Sequence, residues 1–338
     1  MTPVGRNNRP RRCIAPNLPR RPQRGIALLT VLLLAAVMSA LLVVVLDDIR
    51  FGLRRGVNTR AIEQARWHAL GAEQLARQQL VALASTDPGA VSRWLGQPLH
   101  FPTDQGMVRV RLRDAGNCFN LNSVVEGAPG QWQRREAGAE QFDHLLQALG
   151  LGVGQSQALA DALVDWIDSD PAASPSGAED IAYTLRDPAY RTAGDLLAEP
   201  SELRAIDGFG AAYARLRPHV CAVPTNTPSV FNPDTMADED APLLVALTAG
   251  ALPLEAARSL LRARPPGGWG DSAAFLAHPL LAAPGRGDML AGHVVARPRW
   301  YGLQVEVEHD GVQVVMGSLL EDTGGAIALL ARRWTPEE

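Results

Sequence analysis

Aspartate and glutamate are missing from the first 46 residues, and from Ile26 to Leu46 there is no charge of either sign. A soluble globular N-terminus is thereby excluded, because 21 uncharged residues coiled as an α-helix suffice to cross a bilayer core of about 30 Å. The signatures of catalysis are also lacking. The seven histidines are scattered, and there is no His-Glu-x-x-His pair, Gly-x-Ser-x-Gly elbow or phosphate-binding loop. The chain therefore reads as a non-enzyme. Cysteine is scarce: Cys13, Cys118 and Cys221 are the only three, and neither Cys118 nor Cys221 reads as a catalytic thiol.

What precedes the apolar run is a leader, residues 1–25, with seven arginines. Positive charge holds such a leader on the cytoplasmic side, so the rest of the chain faces outward. Three fates are open. A secretory signal would be cut after Met38-Ser39-Ala40, which leaves the apolar Leu41-Leu42-Val43-Val44-Val45 on a soluble protein. An uncleaved anchor would keep everything. Cleavage between Gly25 and Ile26, ahead of the apolar run, resembles the prepilin-type site of type IV pilins and type II secretion pseudopilins.

Beyond the apolar run, Ile62, Ala65, Ala69, Ala72, Leu75, Ala76 and Leu80 recur at spacings of three and four with Arg and Gln between them. A helix from Ile26 to about Ala84 is expected, roughly 90 Å long at 1.5 Å per residue. Gly52, Gly56 and Gly71 are points where it could bend. Without the leader the chain has 25 basic residues against 36 acidic, a net of −11, which makes it a poor general binder of nucleic acid. In an oxidising compartment Cys118 and Cys221 form an even pair for which a disulfide is permitted; two separate buried thiols are the alternative.

Met107 to Arg113 alternates at period two and reads as a strand. Trp300 to Glu308 and Val312 to Leu319 read as two more, joined at His309-Asp310-Gly311, and Gly325 to Arg333 as a last one. Between these β regions the patterning is mostly helical. The expected fold class is α+β: a long pilin-like N-terminal helix packed on a small antiparallel sheet, with a large α-helical domain inserted. The expected segments are the leader 1–25, a transmembrane part 26–46, the first pilin-like part 47–122, the inserted domain 123–290 and the second pilin-like part 291–338.

The insertion holds the candidate site. Asp165, Asp168, Asp170, Glu179 and Asp180 place five carboxylates within 16 residues, on a helix end and a Pro/Gly/Ser loop. They repel one another unless solvated or neutralised by a hard cation such as Ca²⁺. The spacing is not that of an EF-hand.

Several runs together resemble the general secretion pathway protein K family, the large minor pseudopilin of the type II secretion system. They are the Gly25 site, Asn117 to Asn122, Asp165 to Asp170, Gly177 to Tyr183, and Ser201-Glu202-Leu203 before Ile206-Asp207-Gly208-Phe209. The resemblance extends over nearly the whole chain from Arg24. It implies a pilin-like fold with a helical insertion, bound Ca²⁺ with ligands among Asp168, Asp170, Glu179 and Asp180, and a place at the pseudopilus tip with two other minor pseudopilins. Further implied partners are the major pseudopilin, the prepilin peptidase, the membrane and the secreted exoproteins, and the implied location is single-pass in the bacterial inner membrane with the C-terminal domain in the periplasm.

Two departures stand out. Phe231-Asn232-Pro233-Asp234-Thr235 differs from the family's Asn-rich run, which puts a ligand role there in doubt. Thr30, the fifth residue after the Gly25 cut, stands where pilins usually carry a Glu that pairs with the amine of the subunit ahead. A carboxylate in lipid without a partner is costly, so a neutral residue suits a subunit with nothing ahead of it. A rival reading comes from Ile206-Asp207-Gly208-Phe209-Gly210, which matches the turn of helix-hairpin-helix DNA binders; a membrane-anchored DNA receptor for uptake would follow. The acidic balance and the Asp inside the turn oppose it.

Overall fold

The computed structural model describes residues 26–86, 91 and 94–334. The expected leader, with Gly25 and Cys13, lies outside the described residues. The chain divides into two units, one ending at Arg60 and one beginning at Ala61.

Helix α1, Ile26–Thr86, is unbroken through Gly52, Gly56 and Gly71. In the first unit every side chain from Ile26 to Arg60 is exposed, and the helix contains a span long and apolar enough to cross a membrane. The hydroxyl of Thr30 donates back to the Ala27 carbonyl at 2.9 Å, so its one donor is satisfied inside the helix.

In the second unit the strands β1 (Pro98–Thr103), β2 (Gly106–Asp114), β3 (Trp300–His309), β4 (Val312–Asp322) and β5 (Ile327–Arg333) form one antiparallel sheet in that spatial order. The β3–β4 turn uses Asp310 at φ 47° and Gly311 at φ 77°; two left-handed residues in succession match the right-handed strand twist, which is why Asp-Gly works there. Ala65, Ala69, Ala76 and Leu80 of α1 pack on Val108, Val110, Val305, Val307, Met316 and Leu320. Alanines at the contact let the helix lie close to the sheet.

The expected apolar stripe needs a correction at Leu75, which is 68% exposed. The buried face runs through Ala69, Glu73, Ala76 and Leu80 instead. Glu73 fits because its carboxylate accepts from Arg332 at 2.7 and 2.9 Å and from Ser318 Oγ at 2.7 Å. Burial pushes its pKa up, but the guanidinium fork and the hydroxyl outweigh burial and hold it below the ordinary value.

Between β2 and β3 the chain makes its excursion. Helices α2 (Glu136–Ala148), α3 (Val153–Ile167), α4 (Asp180–Thr184), α5 (Ala241–Leu247) and α6 (Leu254–Arg262) lie there. They bury a core of their own around Phe119, Phe142, Leu145, Leu163, Phe209 and Leu244. The Asn117 to Asn122 run stitches its start: Asn120 donates to the carbonyls of Thr225 and Thr227, and Asn122 to those of Leu197 and Val223, at 2.8 to 3.0 Å. Cys118 and Cys221 are joined by a disulfide, beside the short parallel pairing of Phe119–Asn120 with Val220–Cys221.

Candidate metal centre

Helix α3 delivers the first half of the site. Trp166 and Ile167 bury in the core, and Asp168 caps the helix end. The turn after it is pinned by Ser169, whose N–H donates to the Trp132 carbonyl at 3.0 Å while its hydroxyl accepts from the Trp132 N–H at 2.9 Å. Asp170 then folds over the Ala172 N–H at 2.9 Å. Helix α4 delivers the second half. Tyr183 is fully buried, with its ring edge-on to Trp166 at 5.2 Å, and Glu179 caps the helix start.

Gly177 makes the return possible. A Cβ there would stand 2.0 Å from Asp165 Oδ2, so any larger residue would push the segment off α3.

These elements bring Asp168, Asp170 and Glu179 together, with one carboxylate oxygen of each within 4.8 Å of the others. Oxygens bound to one Ca²⁺ at 2.3 to 2.6 Å can be up to about 5 Å apart, so the spacing suits that ion. Two further facts fit a cation. Asp168 Oδ1 and Glu179 Oε1 are buried without a hydrogen-bond partner, although buried acceptors are ordinarily satisfied. Burial, then the negative charges of Asp170, Asp165 and Glu179, pushes the Asp168 carboxyl up to about 7, and burial likewise raises Glu179. The nearby Arg134 offsets these charges only in part, since it is also held by Asp161 at 2.9 Å and Glu136 at 3.0 Å.

Asp180 has a different job. Its carboxylate accepts from the Thr192 N–H and hydroxyl, both at 3.0 Å, and lies 3.6 Å from Arg191. Asp165 accepts from the Ser174 N–H at 3.0 Å and tethers the loop. Asn232 and Asp234 are likewise engaged: the Asn232 side chain accepts from the Asp234 N–H, and Asp234 from the Trp269 N–H. In the Ile206 to Gly210 turn Phe209 is fully buried and Asp207 pairs with Arg186, an arrangement that offers phosphate a carboxylate.

Residues 117–225 and 231–297 match family models that are both described as type II secretion system (T2SS), protein K. The type II secretion system protein K of Pectobacterium carotovorum subsp. carotovorum is 32% identical over 321 residues, 93% of this chain and 97% of its own length. That of Klebsiella pneumoniae is 36% identical over 323 residues, 92% and 96% respectively. Among solved structures, a chain from the GspK-GspI-GspJ complex of the enterotoxigenic Escherichia coli type 2 secretion system superposes with a TM-score of 0.72 at 27% identity, covering 84% of this chain and all of that one.

Proposed function

The chain belongs to the type II secretion system protein K family, and from that premise we propose that it is a minor pseudopilin that caps or initiates the pseudopilus tip and so helps export folded proteins across the outer membrane. The observation that carries this reading is the likeness to a chain crystallised in a GspK-GspI-GspJ complex, which extends over the whole of that chain. By extension this chain assembles with the corresponding pair of minor pseudopilins, and through them with the major pseudopilin. Its role is structural, with no catalytic step.

Prepilin peptidase removes the leader at Gly25, and α1 then holds the protein in the inner membrane as a single span with the second unit in the periplasm. Thr30 supports the tip position, because a neutral fifth residue leaves no carboxylate in need of an amine ahead. Asp168, Asp170 and Glu179 hold Ca²⁺, which when bound supplies the positive charge that lets three crowded carboxylates ionise together. The DNA-uptake alternative gains nothing from the turn it rested on, given Asp207 and the net charge of −11 after the leader.

Immunogold labelling of sheared pseudopili with an antibody to the insertion tests the placement. Signal at one end is expected; signal along the whole length would overturn it.

A further inference from the structure

On the sheet face opposite α1 lies an open cavity of about 330 Å³, walled on its other side by residues of the insertion. That volume is at the lower end for sites that enclose a ligand. Its floor is apolar, formed by Leu319 and Leu330 with Val223 and the Cys118–Cys221 disulfide. Two glycines open it from the sheet. At Gly302 the stem of Arg113 lies flat across the strand, where an added Cβ would come within 2.9 Å of its Nε. At Gly317 nothing lies within 4 Å of where a Cβ would stand, so the space above β4 is empty.

Three guanidinium groups border this apolar floor. Arg113 lies by the Asp114 carboxylate. Arg333 is held by Glu199 at 2.6 Å and donates to the Ala198 carbonyl at 3.3 Å, which straps the 198–200 loop along the rim. Arg217 is different: half-buried on the wall, it has no ion-pair or hydrogen-bond partner among the described residues. In a chain whose balance is strongly acidic after the leader, a cavity with an uncompensated guanidinium stands apart. A planar guanidinium fork matches a carboxylate in two-pronged geometry, while a doubly charged phosphate would meet only one uncompensated cation. The floor calls for an apolar group attached to the carboxylate.

We propose that this cavity receives the free C-terminal carboxylate of an apolar polypeptide end from a partner protein, with the carboxylate on Arg217 and the terminal side chains on Leu319 and Leu330. Prolines 200, 218 and 224 in the walls keep the site preformed, which limits the ordering lost on binding. The site depends neither on the cation cluster nor on the tip assignment.

The test uses the full chain in detergent with Ca²⁺ and the tetrapeptide Ala-Leu-Val-Leu, fluorescein-labelled at its N-terminus, followed by anisotropy. Saturable binding is expected. Amidating the peptide's C-terminus, Arg217→Gln, and Gly317→Leu should each weaken it at least tenfold, whereas Arg258→Gln, outside the cavity, should not. Should Gly317→Leu misfold, the peptide amide and Arg217→Gln still decide the matter. Absence of saturable binding, equal binding of acid and amide, or displacement by inorganic phosphate as readily as by unlabelled peptide would each overturn the proposal.

Discussion

Replacing Asp168 by asparagine should change stability in opposite directions in two buffers. In the cation-free fold the Asp168 carboxyl holds its proton up to about 7, against an ordinary value of 3.8. Over that interval the folded state binds more protons at this group than the unfolded one, so the contribution of Asp168 to stability is greatest below pH 4 and falls as pH rises towards 7. At 1.36 kcal/mol per pKa unit, ionising Asp168 costs the cation-free fold on the order of 4 kcal/mol, an upper limit because its neighbours share the charge. The amide introduced by Asp168→Asn carries no such charge. In EGTA at pH 8 the variant should therefore melt higher than wild type. In Ca²⁺ the order reverses. Ion at about 10,000 times its Kd adds about 5.4 kcal/mol to wild type, more than the cost of the charge and about 9 °C for a chain of this size, while the variant gains little. The wild-type gain should shrink at pH 5, where protons compete for the same oxygens. Tryptophan-fluorescence melting of the full chain in detergent, in Ca²⁺ and in EGTA from pH 5 to 8, reads all of this. A variant that gains as much from Ca²⁺ as wild type, or wild type that melts identically in both buffers at every pH, would refute the reasoning.

Arg332→Ala should cost about 3 to 5 kcal/mol in urea unfolding because it leaves the buried Glu73 carboxylate without its fork, whereas Arg332→Leu combined with Glu73→Leu should recover most of that loss; if the double variant is no better than the single, the pair is not coupled. Reducing the Cys118–Cys221 bond, which closes a loop with a sequence separation of 103, should lower stability by about 4 to 5 kcal/mol in the chain-entropy account, seen as a lower denaturation midpoint in dithiothreitol. Mass spectrometry of protein extracted from membranes should find a chain that begins at Ile26, and substitution of Gly25 should block that maturation; a start near Leu41 would place the cut elsewhere.

Where one physical signal dominates, the sequence is readable. The apolar run of α1 stands out by composition, the β3–β4 hairpin by Asp-Gly between alternating strands, and the carboxylate cluster by charge density. Other features have no such signal. Glu73 is invisible to apolar periodicity, so the pattern takes in Leu75 in its place; only Arg332, more than 250 residues away, explains a buried acid there. Strand β1 escapes notice because Pro98 and Pro102 interrupt it and its side chains do not alternate in polarity, as suits an edge strand. Asp180 looks equivalent to Glu179 in sequence, but one residue further along α4 it meets Thr192 and Arg191. The cavity is illegible altogether, since its walls come from separate stretches of chain far apart in sequence.

The excursion between β2 and β3 begins and ends at facing rungs of one ladder: Asp114 is opposite Tyr301, and the Ala115 N–H donates to the Trp300 carbonyl at 2.9 Å. A chain that leaves and returns at adjacent points imposes no strain on the strands it departs from, however long the detour. Evolution could therefore lengthen, shorten or exchange the detour as a graft, with every sheet hydrogen bond kept in register. The same seam is where an engineer would splice a two-residue turn to recover a bare five-stranded pilin scaffold.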